Sequence, residues 1–321
     1  MRTWKRPLAN VSVTAFCDCV ESENVYRNYF EYRLMHKMKE ENRIFRNYSA
    51  VAIITGAASG MGRLYAERLA LAGYNLLVVD INALKLEEAV YGIREKVNAL
   101  EDWRIPYKPD FKILTFIQDL SVQDAASRVH AFASENGCNV EVLINNAGLF
   151  YYQGIAETSK RALSLMMMVH NYTPLMLCRE FVPEMKERGC GYILNVSSLA
   201  AWIPWPGLGM YASTKRFVKD FSRALRIECR GTGVSVTNAY FGAVDTPLFN
   251  LKPSLRKLAR NLQIMIPAEK AVDKALRATF RRNKGTMPGF LNHLFKPLIV
   301  IFPEPVLAWI YKWLKPFRMD V

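Results

Sequence analysis

Tyr211 and Lys215 stand four residues apart in a stretch that reads as a helix beginning near residue 210. Residues at that spacing share one helical face, so the phenol and the ammonium project together. A free phenol ionises near pH ~10 and a neighbouring cation favours its charged form, so the pair is expected to pass a proton near neutrality. Ser198 falls thirteen residues before Tyr211, just past a buried strand at 192–196. Its hydroxyl could hold a carbonyl or hydroxyl oxygen against the phenol. The chemistry implied is proton transfer to an oxygen. Helices carry many such Tyr and Lys pairs by chance, so the meaning of this one depends on the elements around it.

The first of those elements is a short apolar run at 50–54, which reads as a buried strand. It leads into Thr55, Gly56, Ala57, Ala58, Ser59, Gly60, Met61 and Gly62, and then into a helix at 63–72. A strand, a glycine-rich turn and a helix in that order let backbone amides and the positive end of the helix approach a pyrophosphate. A second strand at 75–79 ends in Asp80, 24 residues after Gly56. A carboxylate there can bind both hydroxyls of an adenosine ribose and repel a 2′-phosphate, which favours NAD(H) and leaves NADP(H) open, with Arg63 and Lys85 as nearby cations.

Strands at 112–118 and 140–144 follow. Each runs into short polar residues: Asp119 and Leu120, which could border the adenine, and then Asn145, Asn146, Ala147 and Gly148. A long Met-rich helix is expected over 156–186, bent or interrupted at Pro174 and Pro183, with Met166 to Met168 as core filler. Asn171 lies inside it as a poor helix former that could bind a water or a backbone carbonyl. A last strand at 233–239 runs into Phe241, Gly242, Val244 and Thr246, and Gly242 and Thr246 could meet a nicotinamide carboxamide. Strands alternating with helices predict an α/β fold: a single-domain, Rossmann-type, doubly wound parallel sheet with helices on both faces and ligands at the carboxyl ends of the strands.

The chain has 321 residues and a net charge of +14, of which residues 250–321 hold fourteen basic against four acidic side chains. The expected organisation is an N-terminal, partly helical extension at 1–48, a dinucleotide-binding catalytic domain at 49–289 and an apolar, basic segment at 290–321. Residues 297–314 approach spanning length but contain Pro297, Pro303, Pro305, Glu304 and Lys312, which argues for an interfacial or cleft-capping element over a membrane-spanning helix. No signal peptide is evident at the start. Basic charge beside apolar residues suits peripheral contact with an anionic membrane. No nucleic-acid motif accompanies the charge, so no nucleic acid is expected. Six scattered cysteines lack metal-ligand spacing. They are read as reduced and structural, with no metal, in a cytoplasmic protein that sits at the cytoplasmic face of a membrane if it meets one.

Taken together, the glycine turn at 55–62, Asp80, Asp119 and Leu120, Asn145 to Gly148, Asn171, Ser198, Tyr211 and Lys215, and Gly242 to Thr246 resemble the short-chain dehydrogenase/reductase family over about 49–250. Residues 60–66, 193–198, 211–218, Tyr240 and Phe241, and the apolar stretch near Trp309 are similar, more loosely, to its hydroxysteroid dehydrogenase and very-long-chain 3-oxoacyl reductase branch. Phe241 departs from the proline usual in the family before Gly242. The resemblance implies Tyr211 as proton donor or acceptor, Ser198 orienting the substrate oxygen, and Lys215 binding the nicotinamide ribose and lowering the Tyr211 pKa. It also implies Asn171 holding a water between Lys215 and solvent, and a homodimer or homotetramer paired through 157–186 and 210–229.

Substrate class is read from aromatics beside the strand ends: Phe150, Tyr151, Tyr152, Trp202, Trp205 and Phe241 could line a wide apolar cleft. With the basic, apolar tail they predict a lipophilic small molecule, a steroid or sterol first and a long-chain 3-oxoacyl thioester second. A non-catalytic dinucleotide-binding scaffold is the alternative of another class.

Overall fold

Ala50–Thr55 is buried along its whole length, as a strand packed by helices on two faces must be, and it forms β1 in the interior of the sheet. The computed structural model describes residues 50–99, 111–202, 206–246, 265–288 and 303–313. In chain order β1 is followed by α1 (Gly60–Leu71), β2 (Asn75–Asp80), α2 (Ala83–Asn98), β3 (Ile113–Ile117), α3 (Ala125–Glu135) and β4 (Asn139–Asn145). Next come α4 (Lys160–Met167), a π-helical turn (Met168–Tyr172), α5 (Thr173–Glu187), β5 (Gly191–Ser198), a 3₁₀ turn (Leu199–Trp202), α6 (Gly209–Glu228) and β6 (Val234–Phe241). The remaining elements are β7 (Ala243–Asp245), β8 (Met265–Pro267), α7 (Ala268–Phe280), β9 (Gly285–Thr286) and α8 (Glu304–Trp313). The expected N-terminal helical arm lies outside the described residues, as does most of the expected 290–321 segment.

Seven strands form one sheet in the order β3-β2-β1-β4-β5-β6-β9, every neighbouring pair parallel. The chain runs outward from β1 to β3, then crosses back to β4 and runs outward on the other side. The order therefore reverses between β1 and β4, where the carboxyl ends of the strands open a crevice. Ile53, Leu77, Val129, Val140, Leu143, Leu177, Phe181 and Ile193 form the core of one helix layer, with exposures of 1% or less. The fold class is the Rossmann-type doubly wound sheet that alternation of strand and helix predicted.

Two local features position the site. The helix expected over 156–186 is not continuous: the chain passes through the π-helical turn, where the Thr173 amide reaches back five residues to the Met168 carbonyl. Pro174 follows at the start of α5. Proline has no N–H for the carbonyl four residues earlier and its ring crowds that carbonyl, which is the physical reason for a wider turn here. The turn faces His170 and Asn171 into the interior. Pro183, by contrast, sits inside α5 without ending it.

Candidate active site

The glycine turn is shaped by close approaches that only glycine permits. Gly56 has φ +66° and a Cβ there would come within 2.9 Å of the Ala147 backbone; Gly60 has φ +53°. A Cβ on Gly62 would collide with the Gly56 carbonyl oxygen. Ser59 stands before α1 in extended backbone and its side chain makes no capping bond, so the first amides of α1 point from the turn with the positive end of the helix behind them. Thr55 works from behind. Its hydroxyl donates to the Ile144 carbonyl and accepts from the Asn146 and Ala147 amides, at 3.3, 3.0 and 3.1 Å, tying the end of β1 to the end of β4. The Asn146 side chain donates to the Thr55 carbonyl at 3.0 Å.

Asp80 also builds the turn. One carboxylate oxygen accepts the Ala58 amide at 3.0 Å and the other accepts the Asn82 amide at 2.9 Å, while both keep further lone pairs. Of the two cations expected near this carboxylate, Arg63 lies against Gly92 in the middle of α2 and Lys85 is exposed.

These elements surround a cleft of 560 Å³. From the expected cofactor set, Gly56, Ser59, Gly60, Met61, Asp80, Asp119, Leu120, Asn146, Ala147, Gly148, Gly242, Val244 and Thr246 all line it, as do Ser198, Tyr211, Lys215 and Phe241. Thr55, Gly62 and Asn171 do not line it; they support it from behind. Arg161, Leu165 and Val169 line it from α4 and the π turn, four residues apart on one face. Sequence reading passed over these three because a Met-rich helix, with Met166 to Met168 as core filler, draws notice only to Asn171 as a candidate site residue within it. Small residues that approach backbone, an open helix end, a carboxylate at the second strand end and an apolar slot beyond together fit a nicotinamide dinucleotide.

At the far end of the cleft, side chains fix the backbone of α6. Asn171 donates to the Thr214 carbonyl at 2.8 Å and Ser197 to the Lys215 carbonyl at 2.9 Å. Lys215 Nζ donates to the Val196 carbonyl at 3.1 Å and sits 5.8 Å from the Tyr211 ring centre. Ser198 Oγ donates to the Phe241 carbonyl, accepts the Ala200 amide and is hydrogen-bonded with Tyr211.

Tyr211 and Lys215 are only 8% and 5% exposed. Burial pushes the Tyr211 phenol up to about 12, with the Ser198 hydrogen bond pulling the other way, and lowers the Lys215 ammonium to about 8. This corrects the expectation that the lysine brings the phenol toward neutrality. Desolvation is the largest cause for both groups, and the ammonium is turned to the Val196 carbonyl.

His170, which sequence reading missed, is 1% exposed and stands edge-on to Tyr211 at 5.7 Å between ring centres. Only its place next to Asn171 could have drawn notice. Of the expected substrate aromatics, Phe150 meets Tyr211 edge-on at 5.1 Å. Tyr151 lines a smaller cavity of 260 Å³ that shares Tyr211 as a wall and includes Met166, so one Met of the expected core filler also faces a cavity. Trp202 lines neither cavity: Lys219 Nζ covers its ring at 4.3 Å and Tyr240 packs at 5.8 Å. Trp205 lies outside the described residues. Among the described residues, no group of acidic, His and Cys side chains could hold a metal ion, and Cys138, Cys178, Cys190 and Cys229 are free thiols pushed up by burial.

Comparison with known proteins agrees with this geometry. The family model for short chain dehydrogenases matches residues 50–255. A very-long-chain 3-oxoacyl-CoA reductase from Rattus norvegicus is 30% identical over 270 residues, 81% of this chain and 76% of the relative. A 17-beta-hydroxysteroid dehydrogenase type 3 from Danio rerio is 31% identical over 219 residues, 66% of each chain. A solved short-chain dehydrogenase from Sphingobium yanoikuyae, in complex with NADPH, superposes with a TM-score of 0.64 at 23% identity, over 79% of this chain and 96% of that one, a likeness of fold.

Proposed function

The chain belongs to the short-chain dehydrogenase family and is an NAD(P)-dependent oxidoreductase, and from that premise we propose that it interconverts a ketone and a secondary alcohol on a bulky lipophilic substrate. The observation that carries this reading is the convergence of Ser198, Tyr211 and Lys215 on the cleft that the glycine turn also lines.

In this reading the α1 amides and the glycine turn hold the pyrophosphate, Asp80 the adenosine ribose, and Asp119 and Leu120 the adenine. Asn146, Ala147, Gly148 and Lys215 hold the nicotinamide ribose, and Gly242, Val244 and Thr246 meet the carboxamide. A nicotinamide held there would supply or accept the hydride at the reacting carbon. Ser198 orients the substrate oxygen, and Tyr211 gives it a proton or removes one. A phenol that keeps its proton at neutral pH is loaded as a donor, which supports ketone reduction. Asn171 fixes α6 through the Thr214 carbonyl, and we assign its amide oxygen a water leading from Lys215 to solvent. Asp80 favours NAD(H), because its charge, fixed by two amides at the cleft wall, opposes a 2′-phosphate.

Phe241 on the cleft and Tyr151 on the adjoining cavity give the substrate side apolar walls, which supports a steroid ketone, while Phe150 lines neither cavity and packs against Tyr211. The relatives support a long-chain 3-oxoacyl thioester equally, and the basic residues of 250–321 suit its anionic carrier. The test is to follow nicotinamide absorbance with purified protein, offering androstenedione and 3-oxohexadecanoyl-CoA, each with NADH and NADPH. Turnover of either ketone supports the reading, and the ratio of their kcat/KM values chooses between them. Tight NADH binding with no turnover across these and a broad ketone panel would instead point to a binding scaffold.

Among the described residues no helix is long and apolar enough to cross a membrane. Peripheral contact is the reading that the basic charge and the exposed Val306 and Trp309 of α8 support.

A further inference from the structure

His170 is buried between the two halves of the site and every polar atom of its ring is engaged. The Leu149 amide, one residue past Gly148 on the cleft wall, donates to Nε2 at 2.8 Å. An amide hydrogen can only be accepted by an unprotonated nitrogen, so the ring proton must sit on Nδ1. Nδ1 lies 2.9 Å from the Thr214 hydroxyl, which therefore accepts from it. The Thr214 hydroxyl in turn spends its own hydrogen on the Tyr211 carbonyl at 2.8 Å. The polarity of this chain is set at every link: Leu149 amide to His170, His170 to Thr214, Thr214 to Tyr211. A protonated ring could not accept the Leu149 amide, and burial with the neighbouring Lys215 charge holds the ring's pKa well below the ordinary histidine value.

The bland alternative is a satisfied core histidine that merely fills space. Two features argue against it. The ring joins the loop that walls the cleft to the second turn of the helix carrying Tyr211, two elements that no strand ladder ties together. It also emerges from the π turn beside Asn171, which holds the next carbonyl but two of the same helix turn, that of Thr214.

We propose that His170, as the neutral Nδ1–H tautomer, is a positioning residue that sets the distance between the Tyr211 phenol and the 146–149 loop. The proposal rests on the reading of Tyr211 as the proton donor. Because Tyr211 is one wall of the cleft and Leu149 another, loosening this link lets the phenol drift without removing any group that touches the ligand. A displacement of an ångström at a reacting group costs about 100-fold in rate, so losses of about 10- to 100-fold in kcat are expected.

The test uses the full chain and four variants: His170→Phe, His170→Gln, Thr214→Val and the Phe/Val double variant. Turnover is measured on whichever of the two ketone probes the wild type reduces. NADH dissociation constants are measured separately by fluorescence titration. The expected result is a fall in kcat for His170→Phe and for Thr214→Val, NADH affinity within about threefold of wild type, and a double variant no slower than the slower single variant, since both cut one chain. His170→Gln, whose amide oxygen can accept the Leu149 amide, should recover part of the loss. Additive effects, or losses of NADH affinity and melting temperature in parallel with kcat, would reduce His170 to a packing residue. If His170→Phe does not fold, Thr214→Val decides alone: unchanged kcat overturns the proposal, and a fall in kcat at unchanged NADH affinity supports it. An activity-free arm separates failure of this proposal from failure of the functional reading. Nitrogen NMR of the chain's four histidines should show one neutral Nδ1–H ring at pH 7 that His170→Gln removes and Thr214→Val shifts. A neutral Nε2–H ring in its place contradicts the chain of bonds whether or not any ketone turns over.

Discussion

At the scale of single residues, the site sets burial against charge. Lys215 keeps an ammonium at neutral pH inside the protein, with its pKa lowered from 10.5 to about 8. Between those values the unfolded chain binds more protons than the folded one, so stability should rise as pH increases through that window. Lys215→Met should therefore leave the melting temperature unchanged or raise it while turnover collapses, a combination expected where a group is kept for function against stability. Calorimetry beside a rate assay checks both halves. The same titration fixes the pH profile: kcat/KM for reduction should be level below the Lys215 pKa and fall above about pH 8 as the amine loses its charge. Asp80 governs a separate choice. Replacing it with serine should raise kcat/KM with NADPH relative to NADH by about tenfold, the value of roughly 1.4 kcal/mol of removed repulsion. An unchanged ratio would leave Asp80 with only its bonds to the Ala58 and Asn82 amides.

At the scale of elements, the strand-to-turn joints decide where the chemistry sits. Gly62→Ala puts a methyl into the Gly56 carbonyl, whose backbone cannot swing aside as a side chain could, and close to the Asn146 side-chain amide, so relief requires the turn itself to move. Overpacking of that kind costs about 1–3 kcal/mol, and thermal melts should show it together with a loss of NADH binding. The glycine turn and the alternation of strands and helices were legible in the sequence because glycine conformation and apolar runs act over a few residues. The placement of Gly56, Asp80, Asn146 and Tyr211 on one cleft follows from that order. The π turn was not legible: Pro174 promised a break, but whether the chain kinks, stops or widens depends on which carbonyl the proline crowds. His170 and Thr214 were hidden for a related reason. Their partners lie 21 and 44 residues apart in sequence and meet only when the turn faces α6. The Tyr211 pKa was misread because spacing gives proximity to Lys215 and says nothing of desolvation. Trp202 failed to reach the cleft because the 3₁₀ turn carries its ring to Lys219 and Tyr240.

At the scale of the molecule, surfaces beyond the cleft carry the remaining readings. On α6, Phe217 and Ile227 are 42% and 66% exposed, and Met167 ends α4 at 49%. Apolar side chains on these helices suit the pairing of two copies, so light scattering should report a dimer or tetramer, and Ile227→Lys with Phe217→Lys should shift it to a folded monomer whose circular dichroism matches wild type and whose melting temperature no longer rises with protein concentration. A wild-type monomer would remove that reading and leave the cleft intact. The most direct measurement concerns the phenol itself: Tyr211→Phe, compared with wild type on the ketone that turns over best, at matched NADH occupancy. A fall in kcat of about 10²–10⁴-fold with NADH affinity retained is the predicted result. Near-normal turnover by the phenylalanine variant would contradict it and place the proton donor elsewhere.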